Sequence, residues 1–174
     1  MPKWYGGSTL NPPGEYIPPD RQWVIQWQCC QRWYWRVVEV QKKAHKQEIQ
    51  QDDIDTVIAF FQNAYHLKDW VLTSRPGLKD AINALFRDSF EMGACRDICN
   101  GFKHKRLNSP SHDPDFNLYR EYDHSEIEGI NPVKYRITFT EDDDVRKFDL
   151  FELVSVVYQQ WENFLSAKSK ELAK

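Results

Sequence analysis

Long hydrophobic runs are missing from this chain, and with them any stretch of about 20 consecutive apolar residues that a helix needs to cross a bilayer. No membrane partner is expected. Cysteine is scarce as well: the four at positions 29, 30, 95 and 99 of a 174-residue chain are too few and too poorly spaced for a disulfide framework. Reduced thiols follow. Cys95 and Cys99 sit one helical turn apart rather than on the short C-x-x-C hook that opens a tetrahedral zinc site, so buried core thiols are expected and no metal or cofactor. A surplus of positive charge is also lacking. The formal net charge is −3 with His neutral, so no global field favours nucleic acid or an anionic surface. No basic leader followed by an apolar stretch opens the sequence, which makes a cytoplasmic location the expectation. Gly-rich phosphate loops, H-E-x-x-H, G-x-S-x-G and EF-hand loops are absent too, and no ligand set supports a small-molecule or metal enzyme.

What is present is enough for a core. Apolar residues make up 41% of the chain and charged residues 28%, which excludes global disorder, and the length suits a single domain. Charge is segregated by segment. Lys42, Lys43 and Lys46 cluster near the end of one helical stretch, and Lys103, Lys105 and Arg106 near the end of another. Acidic residues gather instead between Asp113 and Glu128 and in the run Glu141 to Asp144. This arrangement permits a basic groove on an acidic protein. Cations that complement helix macrodipoles would produce the same pattern.

The first twenty residues carry five prolines and three glycines and read as an extended arm, residues 1–20, ahead of one helical-bundle domain, residues 21–174. Asp20 can cap a helix from Arg21 to about Glu48, with Trp23, Trp27, Cys30, Tyr34, Val37 and Val38 on its apolar face. Trp33 and Trp35 lie off that stripe, available for packing, for a second subunit or for base stacking. Gln51, Asp52 and Asp53 open a second helix whose core face is Ile54, Val57, Ile58, Phe61, Ala64, Tyr65 and Leu72. It ends before Pro76, and its other side bears His66 and Asp69 as neighbours. A short helix over Leu78 to Arg87 follows, and Ser89 caps the next from Phe90. Leu107 to Lys134 reads as a long loop, Tyr135 to Phe148 as a β-hairpin, and Asp149 as the cap of a last helix. That helix carries the cleanest stripe: Leu150, Leu153, Val154, Val157, Trp161, Phe164 and Leu165. The fold class is therefore all-α, a bundle of four or five helices with a small β-hairpin before the last.

The segment Cys95 to Arg106 concentrates the chemistry. Read as a helix, it puts Cys95, Ile98, Cys99 and Phe102 on one side, while Arg96, Asn100 and His104 climb the other at successive turns. Gly101 within it implies either a loosened helix or a close approach by another element. An in-line guanidinium, amide and imidazole can bind and cleave a phosphodiester without metal. Arg96 would grip the phosphate and stabilise developing charge, His104 would move a proton near neutral pH, and Asn100 would orient either.

The run Arg96-Asp97-Ile98-Cys99-Asn100-Gly101-Phe102-Lys103-His104, with Tyr65-His66-Leu67-Lys68-Asp69-Trp70 and the helix layout, resembles the HEPN superfamily. The resemblance implies a metal-independent ribonuclease of toxin or defence type. Arg96, His104, Asn100 and Asp97 would form its catalytic set, and Lys103, Lys105, Arg106 and His66 would bind RNA. It also implies a homodimer in which the Arg and His of two subunits build one composite site. Seven residues separate Arg96 from His104, more than the family motif has, which moves His104 roughly 3 Å further along a continuous helix at about 1.5 Å per residue. The family also includes members that bind or dimerise without cleaving. A non-catalytic helical module for a protein or nucleic-acid partner is accordingly the alternative.

Overall fold

The computed structural model describes residues 17–45, 47–102, 110, 112, 116–122, 133–141 and 144–173. Between Asp20 and Pro76 the chain has no glycine or proline, so nothing local interrupts helix for half a hundred residues except the polar stretch around His45 to Gln50. Two long helices result, α1 (Trp23–Ala44) and α2 (Gln51–Ser74), which pack along each other as the most extensive helix pair. Pro76 ends α2, because the residue before a proline is pushed out of the helical region, and Arg75 duly sits at φ −140°, ψ 74°. A 3₁₀ turn at Pro76–Leu78 then leads into α3 (Lys79–Asp88), followed by α4 (Phe90–Gly101). Ser89 caps α4 as expected, its Oγ accepting from the Met92 N–H at 3.2 Å.

Three antiparallel strands come next, in the order β1 (Asn117–Tyr122), β2 (Val133–Glu141) and β3 (Asp144–Asp149). The expected hairpin is thus the second half of a three-stranded meander. Its first strand lies inside the stretch that reads as loop, since Leu118 is an isolated aliphatic among polar residues and the pairing Leu118 with Ile137 is visible only across the sheet. β2 alternates as expected, with Tyr135, Ile137 and Phe139 buried toward the helices. On the other face Arg136 reaches both Glu121 and Asp149, and Lys147 also bonds Glu121. Asp149 then caps α5 (Leu150–Ala167) by accepting from the N–H groups of Phe151 and Glu152 at 3.0 and 3.1 Å. A single turn of helix, α6 (Ser169–Leu172), follows it. The bundle therefore has more helix segments than the four or five expected, and it carries a sheet rather than a lone hairpin.

One hydrophobic cluster joins these elements, from Val37 and Val57 through Ile82 and Met92 to Ile137 and Trp161. Every α5 position of the expected stripe is buried except Phe164, which is half-buried against the core. Trp27 and Tyr34, seven residues apart on α1, stack on Tyr158 of α5 at 5.2 and 3.9 Å between ring centroids. Asp20 does not cap α1. Its carboxylate turns to Arg75 at 3.3 Å, and the helix starts two residues later than expected after a 3₁₀ turn. Residues 1–16 of the expected arm lie outside the described residues, but Ile17 is buried, so the arm's end is part of the packed structure. Among the described residues no helix is long and apolar enough to cross a membrane.

Candidate functional site

α4 is enclosed on most of its circumference: Met92, Gly93, Ala94, Cys95, Asp97, Ile98 and Cys99 are all buried against α2, α3 and α5. Arg96 is the charged side chain that leaves this enclosure, with a third of its side chain exposed. It enters a cleft of about 470 Å³ lined also by Tyr65, Lys68, Asn83, Phe86, Arg87, Pro110 and His112. No acidic residue is among these described lining residues. Arg87 directs its fork at Asp88 with contacts of 2.7 and 3.0 Å, so its charge is largely answered locally. Lys68 donates from Nζ to the Tyr65 hydroxyl at 2.7 Å and lies over that ring at 4.2 Å. Lys68 and Arg96 therefore carry most of the cationic character, against the aromatic wall of Tyr65 and Phe86, whose rings meet edge to face at 5.6 Å.

Asp97 has a different place from the one the motif suggests. Its carboxylate is buried at 1% exposure rather than open to a substrate. One oxygen lies 3.6 Å from Arg96 Nε, and the other accepts from the backbone N–H of His112 at 2.7 Å. A buried carboxylate costs several kcal/mol unless donors replace its water, and these two groups are such donors. Asp97 thus ties the guanidinium of α4 to a residue fifteen positions later in the chain. The His112 ring is held in turn, stacked on Phe90 at 3.9 Å, with Nε2 3.1 Å from the Phe90 carbonyl.

The other expected site residues fall elsewhere. Asn100 shares the Arg96 side of α4 and is half-buried, but it is not among the described residues lining the cleft. His66 does face the same helix, where its Nε2 lies 4.0 Å from the buried Cys99 thiol, and it too is absent from the described lining. Asp69 is exposed and borders a separate groove with Gln22, Trp70, Thr73 and Ser74. Lys103, His104, Lys105 and Arg106 lie outside the described residues. Phe102, expected on the apolar side, is half exposed because α4 stops at Gly101 and the helical projection no longer applies. Gly101 answers to both of its expected roles: it ends the helix, and a Cβ there would stand 2.6 Å from the Phe116 ring. Trp33 packs half-buried beneath the Arg36 guanidinium at 4.4 Å, whereas Trp35 is 55% exposed.

Cys30, Cys95 and Cys99 are buried and all four thiols are free, as expected for core cysteines. Burial pushes the Cys30 and Cys95 thiols well above the usual thiol range, the neighbouring sulfurs adding to the effect. Such thiols are poor nucleophiles. Among the described residues no group of three or more His, Cys, Asp or Glu side chains is arranged to hold a metal ion.

Sequence reasoning found Arg96 and missed Lys68, Asn83, Arg87 and His112. Lys68 sat within the segment Tyr65 to Trp70, but His66 and Asp69 drew attention from it. His112 had no local signal at all, since its partner Asp97 is distant in sequence. No family model matches this chain, and neither a curated protein nor a solved structure does.

Proposed function

We propose that the cleft around Arg96 handles phosphodiesters, and that the protein is a HEPN-like, metal-independent ribonuclease of a toxin or defence system. The observation that carries this is the convergence of Arg96, Lys68 and His112 on one open cleft with aromatic walls and no acidic group among its described lining residues. A guanidinium there can hold a phosphate through two parallel hydrogen bonds and stabilise the charge that builds on it during cleavage. Ring faces beside it suit a nucleobase. The motif assigns proton transfer to His104 and orientation to Asn100, with Lys103, Lys105 and Arg106 drawing RNA toward the site. Homodimerisation belongs to the same reading, and the exposed Phe102 just beyond Asn100 offers an apolar contact for a second copy.

The test is incubation of the purified protein with total RNA in EDTA, comparing wild type with Arg96→Ala and His104→Ala. Cleavage by wild type that both substitutions abolish is the expected result. Equal cleavage by all three would assign the activity to a contaminant. No cleavage by wild type would favour the second reading, a non-catalytic module that binds nucleic acid or protein. That reading draws on Trp35, an exposed ring on α1 beside Arg36, which is suited to stacking or to an interface core.

A further inference from the structure

The motif-based reading takes His104 as the working imidazole, but another imidazole borders the Arg96 cleft. We infer that His112, held by Asp97 and Phe90, is the imidazole that binds a phosphate group together with Arg96. This rests on the cleft reading above for the kind of ligand, and it adds a residue that the motif does not contain.

Three observations converge on it. His112 and Arg96 both line the cleft, so one ligand can reach both. Asp97 couples them, since its two oxygens face Arg96 Nε at 3.6 Å and the His112 N–H at 2.7 Å, which sets the backbone of one against the side chain of the other. The ring itself has little freedom. It lies flat on Phe90 at 3.9 Å with an interplanar angle of 21°, and Phe90 is in turn stacked on Phe148 at 4.8 Å. A ring stacked in this way has lost its rotamer entropy before any ligand arrives, as a preorganised site requires.

The hydrogen bond at Phe90 also settles which nitrogen is which. A carbonyl only accepts, so Nε2, 3.1 Å from the Phe90 oxygen, carries a proton, and Nδ1 is the nitrogen that gains or loses one. With Nδ1 protonated the ring is a cation with a second N–H donor, which a phosphate oxygen accepts as a charge-assisted bond. Arg96 and Lys68 supply the remaining positive charge, and Asn83 a neutral amide.

Two phosphate sources share this chemistry, the free anion and the backbone of RNA, and the experiment treats them separately. Protein labelled in its histidine rings is titrated with inorganic phosphate and, in a second arm, with an uncleavable 2′-O-methyl oligonucleotide, while the ring resonances are followed by NMR. His112 is expected to shift saturably in both arms. His112→Phe, which keeps the stack on Phe90 and removes the ring nitrogens, is expected to weaken binding about tenfold, the loss of one charge-assisted hydrogen bond, and Arg96→Ala at least as much. Unchanged thermal unfolding of His112→Phe separates lost binding from lost fold. A shift at His104 with none at His112, no shift at all, or wild-type affinity in a folded His112→Phe protein would each overturn the inference. A saturable His112 shift in a protein that cleaves no RNA supports it while removing the ribonuclease reading.

Discussion

Asp97 is a charge kept almost wholly from water, and its two partners decide what its removal does. Replacing it with alanine leaves the His112 N–H and the Arg96 guanidinium without the acceptor that holds them, and the cost is the desolvation of those groups rather than the modest net value of a hydrogen bond. Asp97→Ala is therefore expected to lower unfolding free energy by about 1–3 kcal/mol in urea titrations. A change below a few tenths would show that the carboxylate is not a tether. The cysteines make the opposite kind of residue. Cys30 and Cys95 are buried with thiols raised by desolvation, so a thiol reagent applied to the native protein is expected to modify them only as fast as the structure opens. Prompt labelling of both sites in folded protein would contradict their placement.

At the level of elements, α4 shows how one residue can end a helix and make room for a neighbour. Alanine at position 101 gains about 1 kcal/mol of helix propensity, but its Cβ would press on Phe116, a ring packed 5.7 Å from the buried Phe139. Overpacking of that kind typically costs about 1–3 kcal/mol, so Gly101→Ala is expected to destabilise on balance. In a Phe116→Ala background the same substitution should become neutral or stabilising, and a double-mutant cycle measures the coupling. The start of α2 sets a second expectation. Burial of the Asp53 carboxyl works against its charge, but the hydrogen bonds from Lys43 and the Gln50 N–H together outweigh that and hold its pKa below the usual carboxylate value. A depressed folded pKa contributes stability that is fully present above the unfolded value, about 4, and is lost as pH falls through the lower folded one. Asp53→Asn should thus flatten the acid limb of the stability curve below about pH 4 and leave its shape near neutrality unchanged. An identical acid limb in the variant would count against the ion pair.

Across the whole molecule, the two ends of the described chain meet at one guanidinium. Arg75 donates to the carbonyls of Asp20, Ser74, Glu171 and Leu172 at 2.8–3.3 Å and to the Asp20 carboxylate at 3.3 Å. Those carbonyls include the free ends of α2 and α6, where the helix dipole favours a cation. A lysine cannot serve so many directions, because its ammonium has three donors and no fork. Arg75→Lys and Arg75→Ala are both expected to lower the Tm, and hydrogen exchange should quicken first in residues 17–21 and 169–172 while the α5 core holds. Uniform loss of protection would show that Arg75 stabilises the core directly.

Legibility in the sequence followed the range of the interactions. Stripes repeating every three to four residues reveal helices because the period belongs to a single element, and so α2, α4 and α5 and their buried faces could be read directly, as could the caps Ser89 and Asp149. Arg96 was legible for the same reason, being the cation on the side of α4 opposite its thiols. Strand β1 was not, since a strand with one aliphatic residue acquires its identity only from the partner it pairs with. The cleft lay further still from view. Lys68 comes to it from α2, Asn83 and Arg87 from α3, Arg96 from α4 and His112 from beyond α4, and no local pattern records that these meet. The role of Asp97 is the sharpest case: the residue following the arginine is evident in the sequence, but a buried carboxylate finds its donors through the fold, and only tertiary structure set it between Arg96 and His112.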